Sequence, residues 1–359
     1  MIAIINFLII LSVLVIVHEL GHFLVARKFN IKVEEFGLGY PPRIWGKRKG
    51  ETIYSINALL LGGFVKLLGE DYAELRDVPD SQRKRAFSVQ KKRIRVLVLM
   101  AGVVMNFLLG IVLFAAIYTK IGIPERVDYL LVTGLSKDSP ADQAGIKLED
   151  KIVGVEGMVW PEKDNLVRDF VDYIKSKRGE EVKLLLKDDK SLIVIPRLEE
   201  ETPEGQGSLG VGITSMDLVQ YPLWQRPFRG MVVGVKEALG WGKEIVVGIG
   251  KMFYKLFQGE VPKDVGGPVA IYEISKSVTD EGIMATLQFM AILSINLAIL
   301  NLLPIPALDG GRLLFIAIES VIRRRIKPEL EQTIHIAGMM LILGLMVLIT
   351  INDVKRLLG

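Results

Sequence analysis

Four stretches of this chain are apolar, nearly free of charge and long enough to cross roughly 30 Å of hydrocarbon as helices. Residues 1–26 are apolar apart from Asn6, Ser12 and the group HELGH, residues 96–119 (VLVLMAGVVMNFLLGIVLFAAIYT) carry no charge, and residues 283–303 and 334–351 are similar. Water cannot accommodate four such helices, so an ordinary soluble fold is excluded. A purely intramembrane fold is excluded as well, because 24% charged residues accompany the 50% hydrophobic content and the mean hydropathy of +0.37. That mixture predicts several spans plus at least one solvated domain. The first stretch lacks a basic leader and a small-residue cleavage site, and therefore reads as a retained span rather than a signal peptide. A net charge of +4, with no basic run interleaved with aromatics, argues against a nucleic-acid partner. The absence of cysteine removes disulfides, thiol catalysis and thiolate metal sites.

The flanking charges orient the spans. Arg27, Lys28 and Lys32 follow the first, Lys91, Lys92, Arg93 and Arg95 precede the second, and Arg323, Arg324, Arg325 and Lys327 separate the third from the fourth. By the positive-inside rule both basic connections are cytoplasmic, which puts the long stretch between spans two and three outside; Lys355 and Arg356 dissent mildly. From Tyr129 that stretch reads as a strand, a Ser-Pro turn, a short helix ending at Gly145 and a second strand closing at a Glu-Gly turn. A helix around 164–177, a hairpin from EEVKLLLKDD and KSLIVIPRL, and a short strand SLGVGI follow. The order S-P-A-x-x-A-G-I-x-x-x-D-x-I-x-x-V-x-G resembles bacterial PDZ domains, which bind a peptide or C-terminal tail as an added strand; a plain spacer is the other reading. Residues 229–257 carry Lys236, Glu237, Lys243, Glu244 and Lys251 at about seven-residue spacing, a charged stripe that predicts an amphipathic helix lying in the membrane interface.

Charge inside the first span needs an explanation. On a helix His18 and His22, at i and i+4, share a face, and Glu19 projects from nearly the same direction. H-E-x-x-H is the arrangement in which two imidazoles hold zinc and the glutamate takes a proton from water. Left unpaired in hydrocarbon, such groups cost several kcal/mol, whereas coordination satisfies them. Zinc then needs a third protein ligand, and NLAILNLLPIPALDGGRLLF supplies Asp309, the only acid between Glu281 and Glu319. Two other roles stay open to Asp309: capping a helix after the Pro304–Pro306 break, or pairing with Arg312.

HELGH, a Gly-x-x-x-Asn element from Gly102 to Asn106, the PDZ-like insertion, GGPVAIYEI at 266–274 and NLLPIPALDGG together resemble the site-2 protease family, in its bacterial regulator-of-sigma-E branch, over nearly the whole chain. The resemblance implies a multi-span α-helical membrane protein: spans at 1–26, 96–119, 283–322 (with the LDG motif) and 334–351, a cytoplasmic-side loop at 27–95, a PDZ domain at 125–215 and an interfacial segment at 216–282. It also implies zinc on His18, His22 and Asp309, Glu19 as catalytic acid and base, and a functional role for Asn301. The bacterial inner membrane, with the active site near the cytoplasmic face, would be its location, surrounded by lipid. Single-pass transmembrane proteins would be the substrates. Residues about 51–68, broken by Gly62 and Gly63, read as a membrane-associated β-hairpin matching the family's re-entrant element, with Gly62, Gly63 and Phe64 next to substrate; an amphipathic surface strand pair is the alternative. Asn106 either meets substrate or bonds between helices. The rival functions are a PDZ scaffold without catalysis and a metal transporter, although no internal repeat of the transporter kind is present.

Overall fold

The computed structural model of the chain describes residues 2–70, 78–160, 162–187, 189–258 and 267–358. Met1 of the first expected span, residues 71–77 of the 27–95 stretch, and residues 259–266, with Gly266 of the GGPVAIYEI element, lie outside them. The chain forms two compact units, Met1–Ile117 with Gly230–Gly359, and Tyr118–Arg229.

In the first unit the apolar stretches fold as helices α1 (Ile2–Lys28), α3 (Lys92–Ile121), α8 (Ile283–Leu302) and α10 (Pro328–Leu358), joined by the short α2 (Asp80–Arg83) and by α6 (Arg226–Phe257), α7 (Pro268–Glu281) and α9 (Asp309–Ile322). α1, α3, α8 and α10 are long and apolar enough to cross a membrane, with qualifying segments Ile4–Lys28, Lys92–Ile121, Ile283–Leu302 and Glu329–Ile351. Each runs a little beyond its apolar core because the flanking Arg and Lys residues are good helix formers and reach toward water. The third apolar stretch and the LDG motif, grouped together at 283–322, belong to two helices, since Pro304 and Pro306 cannot continue α8. α6 touches its neighbours at small residues: Gly234 meets the α3 backbone at Ile111 and Ala115, Ala238 is buried, and Gly242 approaches Phe107 of α3 and Ile295 of α8. Small residues four apart allow that approach.

Between α1 and α2 runs an antiparallel pair, β1 (Val33–Lys49) and β2 (Thr52–Leu67). Residues 51–68, expected to make the hairpin by themselves, supply one strand only, and the other comes from 33–49. Both strands bend, so Glu35, Phe36, Gly37 and Leu38 pair on one side with Ile53–Ile56 and on the other with Lys66–Gly63. The bend rests on Gly39, at φ +81, and on buried Asn57, whose Nδ2 donates to the Gly39 carbonyl at 3.1 Å. Glycine tolerates that left-handed backbone where a Cβ would be strained. The base of the hairpin packs with Phe23, Val33, Val65, Leu67, Val98 and Ile316 into one core, tying α1, α3 and α9 to the sheet.

The second unit is a five-stranded antiparallel sheet in the order β6-β5-β4-β3-β7. Its strands are β3 (Ile123–Leu135), β4 (Lys151–Val155), β5 (Val182–Leu186), β6 (Ser191–Val194) and β7 (Val211–Val219), with helices α4 (Pro140–Gln143) and α5 (Leu166–Ser176). The Ser-Pro turn starts α4, with Ser139 Oγ accepting from the Asp142 amide at 3.2 Å. Leu166, Phe170 and Ile174, one turn apart, bury one face of α5 against Leu130, Ile152 and Leu184. Phe170→Ala should destabilise this unit by about 3–5 kcal/mol; chemical denaturation of residues 118–229 expressed alone checks the value, and an unchanged midpoint refutes this core assignment.

Candidate metal centre

His18 and His22 leave α1 on one face, and both are buried. Asp309 is the first residue of α9; the cap position belongs to Leu308, and no side chain caps this helix end. The capping role is thereby removed. Arg312 forms an ion pair with Glu70 at the end of the hairpin, so it does not compete for Asp309 in the way the sequence left open. The Asp309 carboxylate turns instead to the imidazoles, with Oδ2 3.1 Å from His18 Nε2 and 3.3 Å from His22 Nε2. The two Nε2 atoms are 3.1 Å apart.

These distances test the fit to zinc. Tetrahedral zinc with ligand bonds of about 2.0–2.1 Å spaces its ligand atoms by about 3.3 Å, close to the three edges observed. Hydrogen bonding agrees, since His22 Nδ1 donates to the Val98 carbonyl at 2.8 Å and so leaves its Nε2 with a lone pair. Asp309 Oδ2 is buried and makes no hydrogen bond, so three electron-rich atoms converge with nothing polar between them. Asn106, fully buried on α3, has its amide 3.5 Å from His18 Nδ1, and its Oδ1 has no partner. A His18 that offers Nε2 to a metal keeps its proton on Nδ1. Turning the Asn106 amide over supplies an acceptor for that proton and satisfies the orphaned oxygen. The donor set of two imidazoles and a carboxylate suits zinc, and among the described residues it is the group of His, Asp and Glu side chains close enough to hold a metal.

Two glycines let the helices come this close. A Cβ on Gly21 would strike the Ala101 carbonyl, and one on Gly102 would strike the imidazoles of His18 and His22. The glycine of HELGH and that of the Gly-x-x-x-Asn element are thus the two halves of one helix crossing. Gly310 and Gly311 act similarly beside Asp309, since side chains there would collide with the carbonyls of Leu302, Leu303 and Ile305.

A cavity of about 530 Å³ opens over the ligands, lined by Glu19, Phe64, Glu70 and Arg312 among others. Gly63 lies against Val15 and Glu19 of α1, and Gly62 against the Tyr40 ring. Among the described residues, 63–67 pair with 33–38 on one side only, and Gly63 of that edge lies beside Glu19. Asn301 is in the last turn of α8, half-buried, and is not part of the cavity wall. The structure therefore gathers His18, Glu19, His22, Asp309, Asn106, Gly63 and Phe64 and leaves Asn301 to one side. Glu70 and His335, both on the wall, escaped the sequence reading: Glu70 sits at the end of a strand with no motif around it, and His335 is a single histidine in an apolar helix.

A glutamate beside an imidazole–imidazole–carboxylate triangle, enclosed by apolar helices, defines a membrane-embedded metallopeptidase type of centre. The chain matches peptidase family M50 over residues 6–345, and it belongs to that family, the family of the site-2 proteases. It is 34% identical over 348 residues to a Clostridium perfringens protein named by inference as a zinc metalloprotease, covering 96% of each chain. It is 29% identical to zinc metalloprotease RasP of Geobacillus kaustophilus, over 99% of this chain and 98% of that one. A further relative from Agrobacterium fabrum, also named by inference as a zinc metalloprotease, is 31% identical over 99% and 96% of the two chains.

Gly102→Ala should displace both imidazoles and weaken zinc binding about 10-fold or more. Chelator competition on the purified protein reads this, and wild-type affinity would show that the helix crossing is looser than described.

Proposed function

We propose that this M50 peptidase is a zinc-dependent endopeptidase cutting peptide bonds within transmembrane segments, with His18, His22 and Asp309 as zinc ligands. One observation carries the reading: the triangle of two Nε2 atoms and one Oδ2, set beside Glu19 among helices apolar enough to span a membrane. Bound there, zinc supplies a Lewis acid that polarises a carbonyl and makes a water more acidic. Glu19 takes a proton from the attacking water and delivers it to the leaving amine. Asn106 holds the His18 imidazole, a role its contact with that ring favours over direct contact with substrate. For Asn301, which stands outside the cavity wall, the motif NLLPIPALDGG alone supports a contact with the substrate backbone or the developing oxyanion.

A helical substrate hides its carbonyls in its own hydrogen bonds, so single-pass transmembrane substrates must unwind before cleavage. The free edge of residues 63–67 is suited to receive the unwound segment as an added strand, with Gly62 and Gly63 allowing close backbone approach and Phe64 contributing an apolar contact. The basic flanks of α1, α3 and α9 support a place in a bacterial inner membrane with the metal toward the cytoplasmic face and residues 125–215 outside. The antiparallel sheet with two short helices, and the S-P-A-x-x-A-G-I pattern, support a PDZ domain there, able to take a peptide tail and to restrict which substrates reach the site.

Glu19→Gln removes the proton acceptor and keeps both imidazoles, so cleavage of a model transmembrane substrate in detergent should fall by about 10²–10⁴-fold while zinc content holds at the wild-type level. Activity near wild type overturns the role of Glu19. Replacing residues 127–214 by a flexible linker should leave zinc binding intact and admit substrates with bulky external domains. If that variant still rejects them while cutting truncated substrates at the normal rate, the restriction lies elsewhere.

A further inference from the structure

The loop from Leu303 to Leu308 delivers Asp309 to the imidazoles, and it is nearly self-contained. Pro304 and Pro306 have no N–H, the Leu303 amide donates to Leu300, the Ile305 amide to Leu303 at 2.7 Å, and the Leu308 amide to Ile305 at 3.2 Å. That leaves Ala307, two residues before the ligand and at φ +77, a backbone conformation that residues with a Cβ rarely adopt. Its N–H leaves the loop and donates to Nδ1 of His335 on α10 at 3.0 Å. The His335 ring is itself held, with its centroid 5.3 Å from that of Phe315 on α9. One turn further along α10, Gly338 lies so close to Pro306 that a Cβ would collide with it. One face of the fourth apolar helix thus grips the ligand loop at two adjacent residues, by a hydrogen bond at Ala307 and by close packing at Pro306.

We propose that His335 is a positioning residue for the metal ligand Asp309, holding from α10 the strained Ala307 turn that places the carboxylate against His18 and His22. The inference rests on the zinc site described above. An imidazole suits the task because its Nδ1 accepts from the Ala307 amide while the ring packs against Phe315. Without that acceptor, the Ala307 amide loses the contact that ties it to α10, and a turn held at φ +77 has reason to relax. Relaxation two residues from Asp309 would shift the carboxylate away from the two imidazoles, which α1 holds rigidly.

The test uses the full-length protein in detergent and reads zinc affinity and dissociation rate by chelator competition. His335→Phe keeps a ring of similar shape and removes the acceptor, whereas His335→Asn places an oxygen near the position of Nδ1. His335→Phe should weaken zinc binding about 10–100-fold with faster release, and His335→Asn should restore affinity close to wild type. Melting temperatures of the metal-free proteins should stay together. Wild-type affinity in His335→Phe overturns the proposal, and so does equal loss in both variants, which would assign the residue to folding alone. Asp309→Asn separates this outcome from the parent reading: if it too binds zinc like wild type, the ligand set is wrong, and if it alone loses zinc, only the role of His335 fails.

Discussion

Putting a carboxylate and two imidazoles among apolar helices is the constraint on which the rest of the membrane unit depends. Apart from a metal, that cluster has little to satisfy it in hydrocarbon, and its atoms must converge to within about 3.3 Å to share one. Convergence requires backbones closer than ordinary side chains allow. Gly21 and Gly102 permit it between α1 and α3, and Gly310 and Gly311 between the start of α9 and the loop before it. The far end of α9 is pinned separately, by the buried ion pair of Arg95 and Glu319 at 3.1 Å, whose carboxylate also accepts from the Ile326 amide. A buried pair of this kind is weak as a source of stability but strongly penalises any arrangement that separates its partners. It sets the position of α9, and with it the side from which Asp309 arrives.

The bent hairpin answers a second constraint. Non-helical backbone near hydrocarbon is tolerated only where its polar groups are satisfied within the protein. The doubled-back strands do this by giving residues 35–38 partners on both sides, and the side chain of Asn57 covers the carbonyls at the bend. Among the described residues two outer edges, 43–49 and 63–67, pair on one side only, and Gly63 of the second lies against Val15 and Glu19 of α1. Such an edge is a liability on a soluble sheet. Next to Glu19 it is the feature on which the proposed docking of an unwound substrate strand rests.

Much of this was legible in the chain itself. The apolar stretches appeared as helices because length and lack of charge leave few alternatives, and HELGH stood out because i and i+4 share a helix face. Other features were hidden for identifiable reasons. Arg95, counted with the topological charges beside it, is buried against Glu319, and no local pattern distinguishes the two roles. The strand at 33–49 contains Gly37, Gly39 and the pair Pro41-Pro42, so its alternation is broken and it reads as a loop; its pairing is set by residues of β2 well along the chain. Glu70 and His335 are single residues whose importance comes from what folds onto them. Asn301 shows the converse: the motif singled it out, and it stands outside the cavity wall.

The division of the proposed ligands between helices gives metal binding a second meaning. His18 and His22 are fixed relative to each other by one turn of α1, so any metal affinity beyond what that pair provides reports where Asp309 stands, and hence how α9 and its loop are placed against α1. Asp309 occupies the first turn of α9, where the helix dipole favours a negative charge. The loop before it is gripped by α10, and α10 is joined near its other end to α7 through Asp353, which accepts from the Gly267 and Ala270 amides at 2.9 and 3.3 Å. Closing the metal site therefore requires the first and last apolar helices to be assembled together. Metal binding is linked in this way to completion of the bundle, and a chain in which α10 has yet to dock lacks the grip on Ala307 and Pro306 that places its third ligand.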